Sequence, residues 1–259
     1  MKTTGPRILI FDVETAPIEA FVWGLWENNV ALNQIKNDWS ILSFAAKWLD
    51  SDKIMYRDQR FEKDVRNDKK LLRALWKLLD EADIVLTQNG KAFDVKKANA
   101  RFIMHGMRPP SSFKQIDTKV LAKKVFAFTS NKLEYMTDKL CTKYKKLKHN
   151  KFHGFELWTE CLKGNIKAWD EMKRYNIYDV LSLEELYKKM QPWDTSINFD
   201  LYSRDSVKRC NCGSTNFQKN GYFYGAAGKF QRYSCGDCGA EIRDKKNLFS
   251  KKKKSHLKK

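Results

Sequence analysis

The chain lacks any apolar run long enough to span a bilayer. Its opening Met1-Lys2-Thr3-Thr4-Gly5-Pro6 also lacks the apolar stretch of a secretory signal. Neither a membrane span nor export is expected, and the protein is placed in a reducing cytoplasm. Cysteine is scarce, with six in 259 residues, and four of these crowd into the last quarter. That distribution argues against a disulfide framework: Cys141 and Cys161 read as ordinary thiols, and the other four are spaced for metal. Acidic residues are in deficit, 31 against 50 Lys and Arg, for a formal net charge of +19. Such a balance favours a polyanionic partner, because each cation that neutralises a phosphate releases condensed counterions, although a soluble basic surface alone also accounts for the charge. No internal repeat is visible, which excludes a solenoid.

What is present reads as strands first and helices after. Arg7 to Val13 is an apolar, β-branched run of the kind that forms a buried central strand. Ser40 to Trp48 and Lys53 to Arg57, separated by Asp50-Ser51-Asp52, suggest a hairpin beside it. Leucines at 71, 72, 75, 78 and 79 mark an amphipathic helix over 68–82, with an acidic cap at Asp68. A short strand at Ile84 to Thr87 runs into the turn Gln88-Asn89-Gly90 and a helix from Asp94 to His105. Helices are expected at 117–125, 131–141, 155–162 and 166–190, and Pro192 ends the last. These elements predict a mixed α/β sheet with helices on both faces for residues 1–192. A polar linker at 193–206, a small cysteine module at 207–247 and a cationic disordered tail at 248–259 complete the organisation.

Asp12 and Glu14 end the first strand two residues apart, so both side chains point to one face. Side by side in a buried site they would repel, and a hard divalent cation is the simplest remedy; a solvated strand end explains the pair alone equally well. Asp94 opens the helix after the strand at 84–87, near the sheet edge where ligands gather. Tyr175 and Asp179, four residues apart, share one face of the late helix. Phe11-Asp12-Val13-Glu14-Thr15, then Asn89 through Phe93-Asp94, then Tyr175 to Val180 resemble in order and spacing the three motifs of the DEDD exonucleases. Tyr in the third motif is the mark of the DEDDy branch, which includes the proofreading domains of family B DNA polymerases. With no polymerase domain following, the chain is similar to stand-alone exonucleases of the bacteriophage type, which would place it in a host cytoplasm.

The resemblance, which covers residues 7–190, implies a ribonuclease H-like fold and metal-dependent 3′→5′ hydrolysis of phosphodiesters, with single-stranded DNA ends as substrate. It implies two Mg²⁺ or Mn²⁺ ions held by Asp12, Glu14, Asp94 and Asp179, with Tyr175 positioning the attacking water. Thr15, Asn89 and Phe93 become substrate contacts, although Asn89 also reads as a turn residue and Phe93 as core. Asp117 reads first as a helix cap. His149 and His153 flank a basic loop, Lys143 to Lys151, that either tracks phosphates or is simply solvated.

Cys210-Asn211-Cys212-Gly213 and Cys235-Gly236-Asp237-Cys238-Gly239 form two turn-forming knuckles, matched to a closed tetrahedral Zn²⁺ shell. The surrounding residues resemble the zinc ribbons of transposases, except that the first knuckle is C-x-C rather than C-x-x-C. Phe217, Tyr222, Phe223, Tyr224, Phe230 and Tyr233 interleave with Lys219, Lys229 and Arg232, a mix suited to stacking on bases or to forming the ribbon's small core. The partner expected is nucleic acid, DNA before RNA, with replication or repair proteins as further partners. An exoribonuclease, or a non-catalytic nucleic-acid-binding protein on a nuclease fold, are the competing readings.

Overall fold

The computed structural model describes residues 5–147 and 151–257; His149 and the last two lysines of the tail lie outside them. The described residues divide into a unit spanning Arg7–Leu186 and a second built from Tyr187 onward. The second unit thus begins inside the last long helix.

The larger unit is organised on a five-stranded sheet. In chain order its elements begin with β1 (Ile8–Thr15), the short pair β2 (Glu19–Ala20) and β3 (Ile35–Asn37), β4 (Ile41–Trp48) and β5 (Ile54–Asp58). They continue with α1 (Lys69–Asp80), β6 (Ile84–Thr87), α2 (Asp94–Met104), β7 (Lys114–Asp117), α3 (Thr118–Val125), α4 (Leu133–Leu140), α5 (Glu156–Leu162) and α6 (Ile166–Met190). The strand order is β5-β4-β1-β6-β7, with β4 antiparallel to its neighbours and β6 parallel to both of its own. This is the mixed α/β architecture expected. The strand β7 was not anticipated; it is four residues long and only partly apolar, and its pairing to β6 is supplied by the sheet.

β1 is buried on both faces, which explains its nearly unbroken apolar run. Leu9, Phe11 and Val13 pack with Leu71, Leu72, Leu75 and Leu79 of α1 and Val95, Ala98 and Phe102 of α2. Each of these leucines contributes about 2 kcal/mol by leaving water. A second cluster joins Ala16 and Leu42 to Leu157 and Cys161 of α5 and Ala168, Trp169 and Met172 of α6. The two clusters leave the side chains that alternate with Phe11 and Val13 facing away from α1 and α2.

Asp68 precedes α1 but does not cap it through its side chain. Its carboxylate is wholly buried and accepts from Ile41 N at 2.8 Å and from Arg101 Nε and Nη2 at 2.8 and 2.7 Å, with His105 Nε2 2.7 Å away. It therefore ties α1, α2 and β4 together, a role that sequence spacing does not reveal. Arg101→Met would leave this carboxylate buried without its bidentate partner, and the expected loss is about 3–5 kcal/mol. Urea unfolding would show it as a fall in midpoint at constant slope; an unchanged midpoint would contradict it.

In the smaller unit, 3₁₀ turns at Gln191–Trp193 and Phe199–Tyr202 precede the three-stranded sheet β8 (Phe217–Gly225), β9 (Gly228–Cys235) and β10 (Glu241–Asn247), ordered β10-β9-β8. Residues 193–206, read as a polar linker, are fastened to the first cysteine knuckle. Asn211 Oδ1 accepts from Phe199 N, its Nδ2 donates to Ile197 O, and Gln191 Nε2 donates to Asn211 O, all within 3.0 Å. The tail expected to be disordered carries a short helix, α7 (Lys251–Ser255), whose first turn is capped by Ser250 Oγ accepting from Lys253 N. The cap offsets the repulsion among four consecutive lysines.

Candidate functional site

The acidic site is assembled where β1 ends against α6. Asp12 and Glu14 share one side of β1 by the period of two, paired in register with Ala45 and Ser43 of β4. On α6, Tyr175, Asn176 and Asp179 fall at helical spacings of three and four and meet that side of the strand. Carboxylate oxygens of Asp12, Glu14 and Asp179 all lie within 4.8 Å of one another. Asp94, in the first turn of α2, is buried and accepts from Val13 N at 3.1 Å, which sets its carboxylate beside β1 next to Asp12.

Three residues that the sequence did not single out hold this cluster in place. Asn176 is fully buried, donates from Nδ2 to Asp12 Oδ2 at 2.6 Å, and accepts from Ser43 Oγ at 3.2 Å. Trp158 of α5 donates from Nε1 to Glu14 Oε2 at 2.9 Å and packs edge-on to Tyr175 with ring centroids 6.3 Å apart. Lys146 sits with Nζ 2.5 Å from Asp179 Oδ2 and 4.3 Å from the Tyr175 ring centroid. Asn176 was legible in principle, three residues before Asp179 on the same helix. Trp158 and Lys146 carry no such signal. Lys146 looked like one cation in a basic loop, but Glu185 anchors the backbone just before it by accepting from Thr142 N, Lys143 N and Tyr144 N, which turns Lys146 inward.

Burial dominates the electrostatics. It raises the Asp12 carboxyl well above the carboxylate range, and Asp94, Asp179 and Glu14 raise it further. Glu14 is pushed to about 8 by burial and Asp179, against the opposing pull of Lys146 and Trp158. Asp94 rises to about 7 because burial outweighs the N–H of Val13. Asp179 is also raised by burial, with Lys146 holding it back. For Lys146 burial disfavours the ammonium, but Asp179, Tyr175 and Asp12 more than offset that and raise its pKa. The Tyr175 phenol is raised by burial and by Asp179, so it stays protonated at neutral pH.

The donor set suits divalent metal. Three hard oxygen donors converge with a fourth close by, their like charges destabilise one another, and Asp179 Oδ1 is buried without a hydrogen-bond partner among the described residues. Lys146 supplies one positive charge against four carboxylates, which leaves the cluster short of compensation.

The other anticipated contacts surround this cluster. Thr15 is half-buried, just beyond a register shift in the β1–β4 ladder. Asn89 occupies a left-handed turn at φ 68°, and Lys119 Nζ donates to its Oδ1 at 3.2 Å. Asp117 caps α3 through Lys119 N and Val120 N, as read from sequence. It also accepts from Asn89 N at 2.9 Å and Lys91 N at 3.1 Å, and so holds the turn leading to Asp94. Phe93 is 37% exposed, with Lys97 Nζ 5.6 Å from its ring centroid, so it is not a core side chain. In the basic loop Lys145 pairs with Asp138 at 3.1 Å, and His153 N donates to Glu156.

In the smaller unit the four sulfurs of Cys210, Cys212, Cys235 and Cys238 also lie within 4.8 Å of one another. Cys210 and Cys238 are 3.6 Å apart and Cys212 and Cys235 3.7 Å, too far for disulfides and close to the edge of a sulfur tetrahedron around a metal. Burial resists ionisation of Cys235, but the N–H groups of Cys238 and Asp237 prevail and lower its thiol to about 7. The knuckles need their glycines: Gly213 and Gly239 turn at φ 90° and 76°. The aromatics divide by role. Phe217 packs against the cysteines and edge-on to Tyr233, forming the small core. Tyr222 and Tyr224 are exposed on one face with Lys229 Nζ 3.7 and 5.7 Å from their ring centroids.

Among the described residues no helix is long and apolar enough to cross a membrane. No curated protein matches the chain. Among solved structures it is similar to the family B DNA polymerase from the hyperthermophilic archaeon Pyrobaculum calidifontis, at 13% identity and a TM-score of 0.50. That likeness, one of fold, covers 78% of this chain and 27% of the polymerase, so the chain spans about a quarter of the polymerase's length. Residues 9–191 match the model of the RNase_H superfamily, a span that takes in Asp12, Glu14, Asp94, Tyr175 and Asp179. The chain belongs to the RNase H superfamily.

Proposed function

We propose that the protein is a metal-dependent 3′→5′ exonuclease of the DEDDy type that trims single-stranded DNA ends. The observation that carries this reading is the convergence of Asp12, Glu14 and Asp179, with Asp94 adjoining, where the buried Asp179 Oδ1 has no hydrogen-bond partner among the described residues. Asp12, Glu14 and Asp179 would hold one Mg²⁺ or Mn²⁺, and Asp12 with Asp94 a second. Bound there, the ions would acidify water and neutralise charge on the attacked phosphate.

The chain's own groups divide the remaining work. Asn176, itself fixed by Ser43, holds Asp12, and Trp158 holds Glu14, so neither carboxylate has to be ordered when substrate arrives. Tyr175 remains a phenol at neutral pH, which suits a donor that orients the attacking water rather than a base that removes its proton. Lys146, paired with Asp179 at the edge of the cluster, would place a positive charge near the substrate phosphate.

One structural Zn²⁺ on Cys210, Cys212, Cys235 and Cys238 would make the smaller unit a zinc ribbon. Its Tyr222, Tyr224 and Lys229, with the terminal lysines, would tether the strand and raise its local concentration. The test is direct. With 5′-labelled single- and double-stranded DNA and RNA, a ladder shortening from the 3′ end, dependent on Mg²⁺ or Mn²⁺ and strongest on single-stranded DNA, is expected. Shortening from the 5′ end or no degradation would overturn the reading; preference for RNA would move it to an exoribonuclease.

A further inference from the structure

Between β1 and β4 the chain makes an excursion that exposes several large apolar side chains. Trp23 is 102% exposed, Trp26 86%, Leu25 87%, Leu32 88% and Phe21 69%. Isolated exposed leucines are ordinary, but two tryptophans and a phenylalanine within six residues are a costly arrangement for a free surface.

The base of the excursion is firmly fastened. Phe21 N donates to Gln34 O, Gln34 Nε2 returns to Phe21 O, and Glu19 pairs with Asn37 across β2 and β3. Arg66 reaches over from the main unit to Pro17 O and Asp38 O and forms an ion pair with Glu19. The hydrogen bonds therefore hold the backbone while the rings stay outside.

Its position and charge indicate what covers it. The excursion leaves the sheet two residues after Glu14 and returns where Ala16 N donates to Ser40 O at 2.8 Å and Thr15 pairs with Ile41. Both ends are thus pinned at the rim of the carboxylate cluster. Nine residues separate Glu14 from Trp23, so that ring lies at most roughly 30 Å away, within a few nucleotides of the reacting end. Residues 17–35 contain no Lys or Arg, and Arg66 at the base is paired with Glu19, so the segment that carries the rings brings no cation of its own to phosphates. Flat apolar rings without cations match the base faces of a strand whose phosphates are held elsewhere on a chain of net charge +19.

We infer that Phe21, Trp23 and Trp26 form a base-stacking platform that receives the unpaired bases of a single strand entering the acidic site. The inference rests on the nuclease reading and adds a strand-binding surface to it. Each ring that stacks contributes roughly fivefold or more to affinity, independent of base identity.

The test measures binding of the full chain, without added Mg²⁺, to labelled oligothymidylate and to an abasic phosphodiester of equal length. Wild type should prefer oligothymidylate. The double substitution Trp23→Ala with Trp26→Ala should weaken oligothymidylate binding about twenty-five-fold or more, leave the abasic strand unaffected, and keep the slope of log affinity against log salt, since no cation is lost. Trp23→Phe with Trp26→Phe should restore most of the preference, which a folding defect would not. Unchanged oligothymidylate affinity, or equal losses on both strands, would overturn the inference and reassign the rings to a protein partner. Failure of the nuclease reading is seen separately, as wild type that binds the labelled strands but leaves them intact once Mg²⁺ or Mn²⁺ is added.

Discussion

Asp12→Asn is expected to lower nucleotide release by roughly a thousandfold or more while raising the thermal stability of the protein measured without added Mg²⁺. The first effect follows from removing the carboxylate central to the proposed ion pair, worth several kcal/mol of charge stabilisation in the transition state. The second follows from like charge. Asp12 is raised by burial and by Asp94, Asp179 and Glu14, so its ionised form opposes folding, and an amide of the same shape relieves that opposition. Asn176 can keep a hydrogen bond to the new side chain, because an amide offers both a donor and an acceptor.

A raised carboxyl means that the folded state binds more protons than the unfolded chain. Its stability contribution is therefore complete below the ordinary carboxylate value and is lost as pH rises through the raised one. For Glu14 that window runs from about 4.5 to about 8, and for Asp94 from 3.8 to about 7. Without added metal, the melting midpoint of the wild type should fall as pH rises from 5 to 8, roughly 2–4 °C for each kcal/mol. Mg²⁺ should recover that loss, and should do so less in Asp12→Asn. A variant that melts lower than wild type, or a wild-type midpoint flat across this range, would show that the cluster is not charge-strained.

Removing the ion proposed for the four cysteines should unfold residues 207–247 and leave the acidic unit folded. Apart from the ligands themselves, the apolar cluster of the ribbon consists of Ala240 and Phe217, too little to fold a segment of this size. Metal affinity at such sites, about 10–16 kcal/mol in small zinc peptides, is effectively the folding free energy. Treatment with a strong chelator, or Cys235→Ser, should open the ribbon to protease, with mass spectrometry locating the first cuts between 207 and 247. Elemental analysis should find about one zinc per chain. A ribbon that resists protease after chelation, or a purified chain with no zinc, would sink the assignment.

The local patterns were legible where one residue's neighbours along the chain determine its environment. β6 at Ile84–Thr87 and α6 at Ile166–Met190 lie where hydrophobic periodicity placed them, and the hairpin of β4 and β5 follows its turn residues. The period of two put Asp12 and Glu14 on one side of a strand, and the helical period put Tyr175 with Asp179. The spacing of the cysteines brought their sulfurs together in two turns. These placements depend on short-range geometry, which sequence encodes directly.

What joins distant segments was not legible. Asp68 was read as a cap because it precedes a helix, yet Arg101, His105 and Ile41 N claim its carboxylate from other elements. Trp158 and Lys146 reach Glu14 and Asp179 across 144 and 33 residues, through packing that no periodicity announces. The exposure of Trp23 and Trp26 likewise depends on no neighbour among the described residues covering them. By itself the sequence determined which carboxylates, phenol and thiols are available and which face of its element each occupies. Only the tertiary structure decided how far burial raises those carboxyls, which cation offsets them and where apolar rings remain uncovered. Desolvation and long-range contact are properties of the packed chain, not of its order.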